Sequence, residues 1–169
     1  MLRAIFIMLV TLTTYTASAQ FTAVRVNTLA LATGTLNAGV DVTVSDKWSI
    51  DVAGSWNPIF DHSTAITAGV KRWRFEPNVG WFWGAHSTYS AFEFDKAVGF
   101  AVGAGSSLGY SWILSRRWNF SVEGGLGLFF VHDRWLVPDT SLLEDIVIRH
   151  RKRVMLLPSK VEASFSYLF

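Results

Sequence analysis

The sequence has no cysteine, which excludes disulfide stapling and a lipid-modified cysteine anchor. It also lacks an excess of either charge. Fifteen Lys and Arg stand against thirteen Asp and Glu, a formal net charge of +2, so the pI near 9.1 reflects near balance and nucleic acid is not an expected partner. Beyond the first segment, no apolar run approaches the roughly 20 residues that a membrane helix needs. No His, Asp and Glu cluster has metal-ligand spacing, and no nucleophile and base stand at a recognisable interval, so no metal, cofactor or catalytic residue is expected.

What is present is export chemistry followed by aromatic, glycine-rich alternation. Arg3 precedes an apolar stretch from Ala4 to Leu12, then a polar segment ending in Ala17-Ser18-Ala19. That order predicts a signal peptide over residues 1–19, cleaved after Ala19, with residues 20–169 forming one domain. Half of the residues are apolar, with eight Trp, thirteen Phe and thirteen Gly, more aromatic surface than a soluble domain of this size usually carries.

From Leu36 the chain places Leu36, Ala38, Val40, Val42 and Val44 on one parity and Asn37, Gly39, Asp41 and Thr43 on the other. Successive side chains of a strand point to opposite faces, so one face is apolar and the other polar. After the turn at Ser45-Asp46-Lys47 the same grammar continues from Trp48 to Asn57, and it returns from Trp118 to Phe130 and from Lys160 to Phe169. The reading is all-β: an eight-stranded antiparallel up-and-down transmembrane barrel, with strands near 23–32, 35–45, 48–58, 71–83, 85–94, 98–114, 117–131 and 159–169. Short turns at Asp46-Lys47 and Arg116-Arg117 would face the periplasm, and longer segments at 59–70 and 132–158 would face outward. Closure matters because an open sheet edge in lipid leaves backbone groups unpaired. A soluble sandwich or lipocalin-like periplasmic barrel that binds an apolar ligand shows the same period of two. Against it stand Trp48, Trp56, Trp73, Trp112 and Trp118 at strand ends, like interfacial girdles, and the small, glycine-rich polar parity.

Val26-Asn27-Thr28-Leu29, Leu36-Asn37-Ala38-Gly39-Val40, Trp48-Ser49-Ile50-Asp51, Trp56-Asn57-Pro58 and the stretch from Gly103 through Tyr110-Ser111-Trp112-Ile113-Leu114 to Arg116-Arg117-Trp118 carry a resemblance. The chain resembles the DUF3575 family over nearly all of the exported part, and is shorter than the family pattern between Trp81 and His86. The resemblance implies an outer-membrane protein of the Bacteroidetes, some members of the family being associated with fimbrial genes. It implies no activity.

Arg25, Asp41, Asp51, Arg74, Glu76, Glu123 and Glu162 fall on inward positions of this parse. An eight-stranded barrel is just wide enough for side chains to fill, so these charges are expected to form a structural polar plug and not an ion path. His62 and His86 each neighbour a hydroxyl, the residues a lipid-modifying enzyme would use, but adjacent side chains on an extended chain point apart. The segment 141–148 has the pattern of a short amphipathic helix, and Arg149-His150-Arg151-Lys152-Arg153 follows it. Arg149, Arg151, Lys152 and Arg153 would either contact lipopolysaccharide phosphates or a protein partner on the outer surface, or simply begin the eighth strand. Tyr167 and Phe169 resemble the signal read by the barrel-insertion machinery. The expected role is a small non-enzymatic envelope protein with a closed lumen, structural or a subunit of an outer-membrane assembly, for which the family resemblance implies a fimbria-related kind.

Overall fold

The alternation that dominates the sequence sets the architecture. The computed structural model describes residues 22–59, 62–94, 97–138 and 146–169. Eight strands follow in chain order: β1 (Thr22–Asn27), β2 (Leu36–Ser45), β3 (Trp48–Asn57), β4 (Ser63–Trp73), β5 (Gly80–Phe94), β6 (Ala97–Ile113), β7 (Trp118–Pro138) and β8 (Ile146–Leu168). Each pairs antiparallel with the next, and β8 returns to pair with β1, Val24 opposite Tyr167, so the up-and-down sheet closes on itself. Every strand thus has a neighbour on both sides, although β8 pairs with β1 only over Ser164–Leu168 and its longer upper part has β7 alone as ladder partner.

Several boundaries differ from the sequence reading, each for a physical reason. The first strand ends at Asn27 because the Asn27 side chain accepts from the amides of Leu29 and Ala30, capping a short helix, α1 (Thr28–Ala32). Residues 63–70, read as an outward loop, belong to β4, whose two parities are both rich in small residues and show little contrast. The expected strand 71–83 is broken at Arg74–Val79, where Pro77-Asn78 and then Gly80 supply a turn, with Asn78 at φ 68° and Gly80 at φ 74°. There is no break at Trp83-Gly84, since β5 runs continuously through it. The segment 132–158 is mostly strand: β7 and β8 stay in register as far as Pro138 opposite Ile146, so Ile146–Ile148 are extended and not helical. The remainder of the expected helix, and the expected signal peptide, lie outside the described residues.

The interior and the exterior are inverted relative to a water-soluble fold. Among the described residues the buried side chains comprise seven hydrophobic and seventeen polar or charged ones. Outward positions carry Val40, Ile50, Val70, Val102, Val122, Leu126 and Leu128, the last two 58% and 61% exposed. Aromatic rings collect at two levels on this apolar face. Trp81, Tyr110, Trp112, Phe120 and Phe165 form successive ring contacts near the turns that join β4 to β5 and β6 to β7. Tyr89, Phe100 and His132 stack nearer the other end. Trp73, expected in the girdle, instead faces inward at 3% exposure.

Candidate functional site

The lumen is built in layers, and its layers follow from which residues the inward parity supplies. At the turn end Asn78 closes the bottom: its carbonyl accepts from Asn119 Nδ2 at 2.6 Å and from Ser111 Oγ at 2.8 Å. Above it Trp73 packs on Phe82 with ring centroids 4.5 Å apart, and Trp73 Nε1 donates to Ser49 Oγ at 2.9 Å. Two buried rings and the hydrogen-bonded side chains of Ser49, Ser111 and Asn119 fill the tube at this depth, the Asn119 Oδ1 alone of these lacking a partner.

The next layer is charged. Arg25 Nη2 donates to Asp51 Oδ2 at 2.7 Å, with Asp41, Glu162 and Glu123 at 3.5, 3.6 and 4.0 Å from its other terminal nitrogen. Lys71 Nζ meets Asp41 at 3.0 Å and Glu123 at 3.6 Å, and Lys160 Nζ meets Asp51 at 2.9 Å and Glu123 at 3.1 Å. Ser107 Oγ adds a 2.6 Å hydrogen bond to Glu123. Three cations and four carboxylates thus share one cross-section, and such buried pairs persist only when each charge is well partnered. Room for these long side chains comes from missing ones. A Cβ at Gly39 would lie 2.8 Å from Arg25 Nε, and one at Gly69 would lie 2.9 Å from Asp51 Oδ1.

The structure brings Arg25, Asp41, Asp51, Glu123 and Glu162 together as the sequence predicts. It does not bring Arg74 or Glu76, which are exposed in the β4–β5 turn because the sheet ends at Trp73. Sequence reasoning missed Lys71 and Lys160. Both lie on polar parities, and four clustered carboxylates demand cations nearby. His86 is buried in the lumen beside its register partners Gly69 and Gly105, with neither ring nitrogen hydrogen-bonded. The His86 imidazole is therefore not paired with the Ser87 hydroxyl beside it. His62 is exposed in the β3–β4 connection at φ 40°. Among the described residues no group of three His, Asp or Glu side chains is placed to hold a metal.

Beyond the charged layer, away from the turns, the lumen opens into a cavity of about 810 Å³. This departs from the expectation of a lumen closed throughout. Phe92, Ala101, Phe129, Val131, Met155 and Leu157 give it apolar walls, and Ser159 stands at its floor. Asp133, Trp135 and Arg153 stand at its far end. Arg153 Nη2 lies 3.5 Å from Asp133 Oδ2, which also accepts from Trp135 Nε1. A β-bulge shapes the floor: Leu126 pairs with Pro158 and Gly125 with Lys160, so Ser159 is extra and the parity of β8 reverses there.

The basic run lies on a strand. Arg151, Lys152 and Arg153 pair across β7 with Asp133, His132 and Val131, while at Arg149 only the backbone is described. Tyr167 and Phe169 pack edge to face at 5.0 Å, and the Tyr167 hydroxyl accepts from Arg117 at 2.9 Å.

No curated protein and no solved structure matches this chain. One family description does, over residues 5–169, essentially the whole length. The chain therefore belongs to the family of proteins of unknown function DUF3575.

Proposed function

We propose that this chain is a transmembrane barrel of a Gram-negative outer membrane, exported by a cleaved signal peptide, that is non-conducting and non-enzymatic. The single observation that carries the reading is the inverted polarity: an apolar exterior bounded by two aromatic levels around a charged interior. In water such an exterior is a large aggregation liability, whereas in lipid it is the matched surface. Its height fits as well. Trp48 to Trp56 covers about 26 Å of strand at ~3.3 Å per residue, and about 20 Å along the axis at a tilt of ~40°, near the ~25 Å apolar band of such barrels. The charged layer and the Trp73–Phe82 pair support a barrier to ions.

On this reading the protein is an envelope structural component or a subunit of an outer-membrane assembly. Its outer end meets lipid headgroups, and Tyr167 with Phe169 is the element the insertion machinery engages. The test is fractionation followed by an unboiled gel. Extraction only with detergent, with a heat-dependent change in migration, is expected, together with no unitary conductance in a planar bilayer. Recovery in a detergent-free soluble fraction would overturn the membrane assignment, and discrete ion channels would overturn the closed barrier.

A further inference from the structure

The cavity above the charged layer has the size and lining of a ligand site, since pockets for small molecules run to about 300–1,000 Å³ with apolar walls and a few convergent polar atoms. Its polar atoms are unfinished. Asp133 is 1% exposed, yet its Oδ1 has no hydrogen-bond partner. The Nε of Arg153, a buried donor, has none either. Buried polar atoms are paired in the great majority of cases, so an unpaired acceptor beside an unpaired donor at the end of an apolar cavity asks for a group carrying both complements.

The charge at that end is specific. Arg151 is the register partner of Asp133 and shares its face of the hairpin, and Arg153 lies two residues further along β8 on the same parity. Two guanidinium groups against one carboxylate leave one positive charge in excess. The floor is sealed by ion pairs, so a ligand enters from this end and leaves its head group there. The walls between, from Val131 and Ala101 to Phe129, Met155 and Leu157, suit a single aliphatic chain.

We propose that the cavity binds a single-chain amphiphile whose head group carries an anionic oxygen and a hydroxyl, the oxygen accepting from Arg153 Nε–H and the hydroxyl donating to Asp133 Oδ1. A 3-hydroxy fatty acid and a lysophosphatidylglycerol share this chemistry. The site goes beyond the membrane reading, because it depends on the lumen and not on what surrounds the barrel.

Native mass spectrometry of the detergent-solubilised full protein tests it with four probes of equal chain length: 3-hydroxytetradecanoate, tetradecanoate, myristoyl lysophosphatidylglycerol and tetradecyltrimethylammonium. One adduct per protein is expected with the first or third probe, and the stronger of the two identifies the source. Loss of the hydroxyl, or Arg153→Gln, should weaken binding about tenfold or more, the usual effect of losing a hydrogen bond to a charged group. Ala101→Phe, which fills the cavity, should abolish it. Equal adducts from the cationic probe, or adducts unchanged in Ala101→Phe, would overturn the proposal. Heat-dependent migration of each variant is checked in parallel, so failure to bind by a folded, membrane-extracted barrel counts against this site alone.

Discussion

Replacing Arg25 by methionine keeps most of the side-chain stem and removes the one cation that reaches all four lumen carboxylates. Lys71 and Lys160 still hold Asp41, Asp51 and Glu123, but among the described residues Glu162 has no other cation within 4.0 Å, Lys160 acting on it only at longer range. Removing one partner from a buried charge network costs about 3–5 kcal/mol, because the charge left behind is desolvated and unpaired. Against a typical stability of about 5–15 kcal/mol, that is a large share. Urea unfolding in lipid vesicles, followed by tryptophan fluorescence, should show the loss as a lower midpoint at unchanged slope. The decisive comparison is Arg25→Met with Glu162→Gln. Neutralising the stranded carboxylate should restore about 1–2 kcal/mol, a coupling of the size expected for contacting residues. If Arg25→Met costs under about 1 kcal/mol, or the two losses simply add, the layer is not a mutually compensated network.

Three further outcomes follow from the same geometry. Gly69→Ala would set a Cβ 2.7 Å from the Ala85 carbonyl and 2.8 Å from His86 Cβ, and should cost about 1–3 kcal/mol, while Gly54→Ala and Gly124→Ala, which meet nothing within 4 Å, should be near neutral by the same unfolding measurement. Leu126→Arg puts a charge on the exposed apolar band and should destabilise the vesicle-embedded barrel by about 2–4 kcal/mol; no loss would argue that this face contacts water. Asn78→Gly should fold normally, whereas Asn78→Val, forced to a positive φ, should lose about 1–2 kcal/mol in a melting comparison.

Most of the fold was legible wherever one parity is apolar and the other small or polar. Around β2, β3 and the Trp118–Phe130 part of β7 the contrast is strong, and the strands fall within a residue or two of the expected places. β4 was missed because Thr64, Ala65, Thr67 and Ala68 offer little contrast between faces. The early part of β8 was missed because its phase is broken. Val154 and Leu156 face outward on even positions, Val161 and Phe165 on odd ones, and the switch at Pro158-Ser159 hides a continuous strand from any single period. For the site, five of the charged lumen residues were readable from parity alone. Lys71 sat in a strand whose bounds were wrong, and the placement of Arg74 and Glu76 failed with those same bounds. The cavity could not be read at all, since it arises from where strands stop filling the tube and not from any residue pattern.

The strands differ greatly in length, from six residues in β1 and ten in β2 to twenty-one in β7 and twenty-three in β8. Measured from the common turn end, at ~3.3 Å per residue and a tilt of ~40°, the β7–β8 hairpin stands roughly 25–30 Å taller than the β1–β2 side. The tube is therefore cut obliquely, like a quill. If the barrel lies in a membrane as proposed, with its short lip level with the bilayer, everything beyond that lip on the tall side is a wall facing open space across the mouth. Molecules arriving from outside meet a backstop on one flank and a clear approach on the other, so the protein has a front and a back about an axis that an ordinary eight-stranded barrel leaves nearly symmetric.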